Sequence, residues 1–348
     1  MDLPVVWFVL IAILWTGFIV LEGFDFGVGI LLRPFSRSDT ERRVLINAIG
    51  PIWDGNEVWL IVAGGAMFAA FPEWYATMFS GFYIPLLLIL LALIVRGVAF
   101  EWRGKFDDDG WRNRWDWGIT FGSWIPAVLL GVAFANLVRG VPIDAEKEFV
   151  GNLGDLLSPF ALMGGAVTAI VFITHGAVFL ALKTDGEVRY RIGALAARLA
   201  PAAAVVAGVW VVWLQLSYSD KAWTWIPVVV AVASLVGVIG ATRRRSEGLA
   251  FTLSALSIVA TFVLVFGSMF PNVMPSTLDP AYSLTIRNAS STDYTLGIMT
   301  WLALATTPVV LGYQAWTYWV FRKRLKAETI PPHAGLPLRE PADPDSVH

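Results

Sequence analysis

Nine apolar stretches run along the chain, at about 5–32, 51–71, 76–99, 117–138, 159–182, 194–217, 223–242, 249–270 and 296–321. Each is close to the roughly 20 residues that an α-helix needs to cross a ~30 Å hydrocarbon core. Punctuation supports several boundaries. Pro51 and Pro159 stand where a first-turn proline is tolerated, Pro159 directly after the N-cap candidate Ser158. Pro72 and Pro271 follow the ends of their stretches, where a helix does not easily continue. Trp7, Trp74, Trp111, Trp115, Trp223, Trp225, Trp316 and Trp319 lie near stretch ends, as in interfacial aromatic belts. The pattern predicts an all-α polytopic membrane protein with about nine transmembrane helices.

Charge placement orients it. Only Arg139, Lys147, Lys221 and Arg287 of the 25 Lys and Arg residues fall on one side of this arrangement; the rest fall on the other. By the positive-inside rule the rich side is cytoplasmic, giving an N-out, C-in chain with an odd number of spans. After the first span, Ser38-Asp39-Thr40-Glu41 is a capping-box pattern that predicts a short interfacial helix near 38–48. Residues 1–326 then form one transmembrane bundle. Residues 327–348 read as a polar, Pro-rich cytoplasmic tail, expected to be disordered.

Composition agrees and narrows the chemistry. Hydrophobic residues make up 57% of the chain and charged residues 15%, with mean hydropathy +0.65; soluble domains carry about 25% charged residues. A net charge of −2 offers no basic face for nucleic acid. The absence of cysteine excludes disulfides, thiolate metal sites, iron–sulfur clusters and covalent haem attachment. Met1-Asp2-Leu3-Pro4 lacks the positive n-region of a cleavable signal, so the first stretch is expected to stay in the mature protein.

Ionisable residues inside the spans are few, and such residues are costly unless buried in a bundle or functional. Glu22 and Asp25 fall at i and i+3 on the first stretch, Asp54 and Glu57 likewise on the second. Arg96 ends the third, followed by Glu101. Asp25 precedes Arg33 by about eight residues, roughly 12 Å of helix, so these acids cluster in the cytoplasmic half. One reading is a structural network neutralised by Arg96; the other is a proton path entering from the cytoplasm. Gly23 and Gly27, and Gly64 and Gly65, favour close helix contact. His333 and His348 lie in the tail, leaving His175 as the one membrane histidine. Bis-histidine haem ligation within the membrane is thereby excluded for this chain, and His175 beside Thr174 reads as a hydrogen-bonded bundle residue.

Several motifs together resemble subunit II of cytochrome bd-type quinol oxidases. They are Gly23-Phe24-Asp25-Phe26-Gly27-Val28-Gly29, Asp39-Thr40-Glu41-Arg42-Arg43 and Trp53-Asp54-Gly55-Asn56-Glu57-Val58-Trp59-Leu60. Trp111-Arg112-Asn113, Trp115-Asp116-Trp117-Gly118 and Met269-Phe270-Pro271 continue the series in order. The resemblance implies a heterodimer with a larger subunit I that ligates the b558, b595 and d haems, oxidises quinol and reduces dioxygen to water in the bacterial cytoplasmic membrane. It implies no cofactor or metal ligated by this chain. Some family members hold a quinone in this subunit, and some complexes carry a small accessory subunit. Asp54 matches the family aspartate of a proton route toward the haems, Asp25 the acid of the first-span motif, and Arg96 with Glu101 a basic–acidic pair. Glu57 and His175 stand where relatives carry glutamine. The expected proton-path residues are Asp54, Asp25, Glu57 and Glu22, with Arg96 and Glu101 as an ion pair. A proton-coupled transporter using Asp25 and Asp54 is the alternative; its usual inverted repeat is not evident here.

Overall fold

The computed structural model describes residues 2–331, 335 and 336. Eleven α-helices carry the described fold: α1 Leu3–Phe35, α2 Asp39–Ile49, α3 Trp53–Ala70, α4 Pro72–Gly81, α5 Tyr83–Trp102, α6 Asp109–Arg139, α7 Pro159–Lys183, α8 Gly186–Tyr218, α9 Trp225–Arg243, α10 Glu247–Met269 and α11 Asp293–Val320. Eight of them are long and apolar enough to cross a membrane. The exception among the nine predicted stretches is α3, whose 18 residues span about 27 Å and include Asp54 and Glu57. It nonetheless runs the full height of the bundle. It starts just after α2 at the basic end, and Ser291 N donates to Ala70 O (2.8 Å) at the other.

Ion pairs gather the Arg-rich connections at one end. Arg191 meets Glu41 at 2.5 Å, Arg37 meets Glu187 at 3.2 Å and Arg324 approaches Glu247 at 3.9 Å, tying four connections together. The opposite end is closed by the long loops after α6 and α10. There β1 (Asn272–Met274) pairs antiparallel with β2 (Leu284–Thr285), and Lys147 Nζ donates to Asn288 O (2.9 Å).

The apolar core forms around α1, which packs against α3, α6, α7 and α10. Glycine sets the tightest of these crossings. A Cβ at Gly27 would lie 1.9 Å from the Phe172 carbonyl oxygen, and one at Gly176 would lie 2.6 Å from Gly27 C. The α1 and α7 backbones therefore touch directly, as small-residue pairs allow in membranes. Gly64 and Gly65 behave differently from expectation: nothing lies within 4 Å of a Cβ at either. Their face of α3 is open because α3, α5 and α11 form a sparsely covered side. Of the 28 residues of α11, Leu296 alone is buried.

The predicted interfacial helix is α2. Ser38 Oγ accepts from Glu41 N (3.2 Å), and Glu41 Oε2 accepts from Arg37 N (2.8 Å), one residue before the usual capping-box partner. The predicted span 76–99 is replaced by a break at Phe82 between α4 and α5. In the predicted tail, Ala327–Thr329 forms a 3-10 turn and Arg43 Nη1 donates to Pro331 O at 2.6 Å; His333, His348 and most of the remaining tail lie outside the described residues.

Candidate functional site: a buried carboxylate array

Three neighbouring helices bring the membrane acids together. The i, i+3 spacing puts Glu22 and Asp25 on one face of α1, and both are fully buried, as is Arg96 on α5. Arg96 Nη1 pairs with Glu22 Oε1 and lies 3.9 Å from Glu57 Oε1 on α3. The guanidinium is boxed by aromatic rings, with centroids at 4.9 Å (Phe26), 5.2 Å (Phe100) and 6.0 Å (Trp53). Ring faces supply negative potential to a cation removed from water. Glu57 keeps 19% of its side-chain exposure. One turn earlier, Asp54 is exposed on α3, its Oδ1 accepting from Gly55 N at 2.8 Å. The array thus grades from the open surface at Asp54, through Glu57, to Glu22 and Asp25 in the interior.

A second set of contacts fixes its inner end. Asn56 is fully buried between the two acids of α3 and donates Nδ2 to Asp25 Oδ2 at 2.7 Å. Its Oδ1 accepts from the Tyr318 hydroxyl (2.8 Å) and from Gln314 Nε2 (3.3 Å), both on α11. Trp59 Nε1 in turn donates to Gln314 Oε1 at 2.9 Å. Four uncharged polar residues therefore hold α11 against α3 beside Asp25. No signal in the sequence singled them out beyond Asn56 and Trp59 lying in a quoted motif.

Glu22 Oε2, Asp25 Oδ1 and Arg96 Nε and Nη2 are buried without a well-formed hydrogen bond to the described protein. Such atoms are rare in folded proteins and concentrate at functional sites. Glu22 and Glu57 share the Arg96 guanidinium, and Asp25 is held by Asn56 instead.

Arg96 does not pair with Glu101. Five residues turn an α-helix through about 140° beyond a full turn, so Glu101 faces away from Arg96. It is exposed and enters no ion pair among the described residues. The basic partner near that end is Arg103. Its Nε donates to buried Asp116 Oδ1 and its Nη2 to Asp39 Oδ1, each at 2.6 Å, while Arg42 Nη1 reaches Asp116 Oδ2 at 3.3 Å. Desolvation works against the Arg103 charge, but the hydrogen bonds and charge of Asp116 outweigh it and hold the guanidinium above its ordinary range. This junction of α2, α5 and α6 is structural in kind.

His175 offers no ligand position. Nδ1 is 2.6 Å from Ser254 Oγ, Nε2 is 3.2 Å from Val20 O, and the ring stacks on Phe251. With Val20 O as an acceptor, Nε2 carries the proton and Nδ1 accepts, so both nitrogens are engaged. No cluster of three or more metal-ligating side chains occurs among the described residues. The histidine present does not fit a haem ligand.

Comparison with known proteins places this arrangement. The family model for cytochrome bd terminal oxidase subunit II matches residues 3–321. The chain is 43% identical over 326 residues to cytochrome bd ubiquinol oxidase subunit 2 of Bacillus subtilis, covering 92% of this chain and 96% of that one. It is 39% identical over 364 residues to cytochrome bd-I ubiquinol oxidase subunit 2 of Escherichia coli K12, covering 93% and 96%. The structure of bd oxidase from Geobacillus thermodenitrificans shares the fold, with a TM-score of 0.76 at 16% identity over 92% of this chain and 99% of that one. The chain belongs to the cytochrome bd terminal oxidase subunit II family and is a subunit of a respiratory oxidase of the bacterial inner membrane.

Proposed function

We propose that this chain scaffolds a haem-bearing subunit I and supplies part of a cytoplasmic proton path for the reduction of dioxygen to water by quinol. The observation that carries the reading is Asp54 and Glu57 on the open side of α3. A carboxylate facing lipid at this depth is costly. The open side of α3, α5 and α11 therefore suits burial against a second membrane protein, and the two acids would lie in that contact. The family membership removes the transporter alternative.

In this reading the Arg-rich end is cytoplasmic, as the positive-inside rule requires. Protons enter from that end and are taken up at the carboxyl oxygens of Asp54 and Glu57. Arg96 orients Glu57 and Glu22 and offsets one negative charge. With Glu22 as the nearest partner of Arg96, Glu57 and Asp25 are left without a closely paired cation, which suits them to hold a proton and pass it along the array. Asn56 keeps the Asp25 carboxyl in one rotamer. The haems belong to the partner subunit, where they would supply the redox chemistry.

A quinone also fits this chain. A cavity of about 910 Å³ opens between α1, α10 and α11, with walls such as Phe8, Val259, Val263 and Phe266. Lys221 and Trp223 stand at its outer end, Gln314 and Tyr318 at the other. Apolar walls suit an isoprenoid tail, and Lys221, Trp223 and Gln314 each keep an N–H that can donate to a ring carbonyl, whereas the Tyr318 proton is given to Asn56.

The assembly is tested by purifying the chain from its native membrane and recording the absorbance of what accompanies it. A haem-bearing membrane partner in equimolar amount is expected; a colourless, solitary chain would contradict the reading.

A further inference from the structure

A second charged site lies at the Arg-rich end, on the side of the bundle away from the carboxylate array. A cleft of about 210 Å³ opens between the first turns of α8 and the turn joining α9 to α10. Arg189, Tyr190, Arg243, Arg245 and Glu247 line it, and small residues such as Gly193 and Ala250 keep it open. Its one carboxylate is already matched: Glu247 Oε1 accepts from Arg189 Nε at 2.9 Å, and Arg324 approaches Oε2 at 3.9 Å. Arg243 and Arg245 have no carboxylate partner among the described residues. The cleft therefore presents two unmatched guanidinium groups beside a membrane boundary.

The backbone gives an independent reason to look at Arg245. Ser246 N donates to Ala241 O (2.9 Å) and Arg245 N to Thr242 O (3.1 Å), which is a Schellman closure of α9. Arg245 occupies its left-handed position at φ +54°. Glycine fills that position without steric cost, and a long side chain does not. An arginine there makes sense for what its side chain reaches. Its guanidinium lies over the Tyr190 ring, 5.4 Å from the centroid. Tyr190, 58% exposed, lines the cleft, and Leu249, 53% exposed, follows the lining residue Glu247 by two positions on α10.

We propose that this cleft binds the phosphate of an anionic phospholipid headgroup, with Arg243 and Arg245 as its cations. Guanidinium groups bind phosphate oxygens in paired hydrogen bonds, and basic pockets between helix ends are the usual form of such sites. The tyrosine ring holds the Arg245 side chain toward the cleft, and the acyl chains run along the apolar flank beyond Leu249. A free phosphate would use the same cations without needing that flank.

The test uses the purified oxidase complex, native mass spectrometry, and titration with phosphatidylglycerol, phosphatidylcholine or inorganic phosphate. Wild type is expected to retain one phosphatidylglycerol more than the Arg243→Gln/Arg245→Gln variant. Its binding should be at least about tenfold tighter, and millimolar inorganic phosphate should not displace it. Arg245→Gly keeps the Schellman turn and relieves its left-handed position, so its thermal midpoint should be no lower than wild type while it loses most of that retention. Equal retention by wild type and both variants would overturn the site. Equal retention of phosphatidylcholine would overturn its selectivity for anions, and displacement by inorganic phosphate would overturn the lipid as its ligand.

Discussion

Arg96 and Glu22 meet as an ion pair with both side chains wholly buried, joining α5 to α1 in the middle of an apolar bundle. Removing one partner of such a pair leaves an uncompensated charge, at a cost of about 3–5 kcal/mol. Arg96→Met should be the more damaging change, because it strands Glu22 and Glu57 together. Glu22→Gln leaves Arg96 with Glu57 at 3.9 Å and should cost less. The check is the yield and thermal midpoint of the purified complex: Arg96→Met lowest, the Arg96→Met/Glu22→Gln double variant partly restored.

Backbone contact between α1 and α7 predicts a sharp contrast among glycines. Gly27→Val must push a side chain into the Phe172 carbonyl. Overpacking of this kind, with backbone as the obstacle, should cost about 3 kcal/mol or more and deplete the chain from membranes. Gly64→Val meets nothing within 4 Å in this chain. It should leave the isolated fold intact. If the open side of α3 is the partner surface, it should instead weaken co-purification of the haem subunit, which affinity capture and haem absorbance would measure.

Much of the helix plan was legible because a spanning helix must be long and apolar. The reading at 159–182 is α7 at Pro159–Lys183, and that at 249–270 is α10 at Glu247–Met269. Hydropathy failed where helices continue into polar residues: α8 begins at Gly186, eight residues before the apolar stretch, and α6 at Asp109. It also missed the break at Phe82, although Gly81 ends α4 and Pro85 stands in the first turn of α5. Charged site residues stood out because charge inside a membrane is rare. Asn56, Gln314 and Tyr318 did not, since uncharged polar residues leave little trace in hydropathy, and Tyr318 lies 262 positions from its partner. The Arg96–Glu101 pair is an expectation from the family resemblance; the helical turn separates the two, and Arg96 meets Glu22 instead.

Asp116 is the buried hub of the junction between α2, α5 and α6. Asp116→Leu would leave Arg103 largely buried, with Asp39 at 2.6 Å as its remaining carboxylate partner. A loss of about 3 kcal/mol is expected, without change in the haem spectrum of the complex that still assembles. Limited proteolysis between α1 and α3 should report the loosened α2.

The quinone reading is tested by filling the cavity. Val263→Trp places a large ring among Phe8, Phe262 and Phe266. Extraction of the purified complex should then yield less quinone per haem than wild type, with oxygen consumption near the wild-type rate if the molecule is structural. Unchanged quinone content would remove it from this cavity.

If carboxyl groups of this chain carry protons to chemistry in its partner, Asp54→Asn must slow that chemistry. Asparagine keeps the size and polarity of the exposed first-turn residue and removes only its titratable proton. The measurement is quinol-driven oxygen consumption by the purified complex, normalised to haem absorbance. A rate at least about tenfold lower, with normal haem spectra, is expected. Respiration at the wild-type rate, with intact coupling, would contradict it.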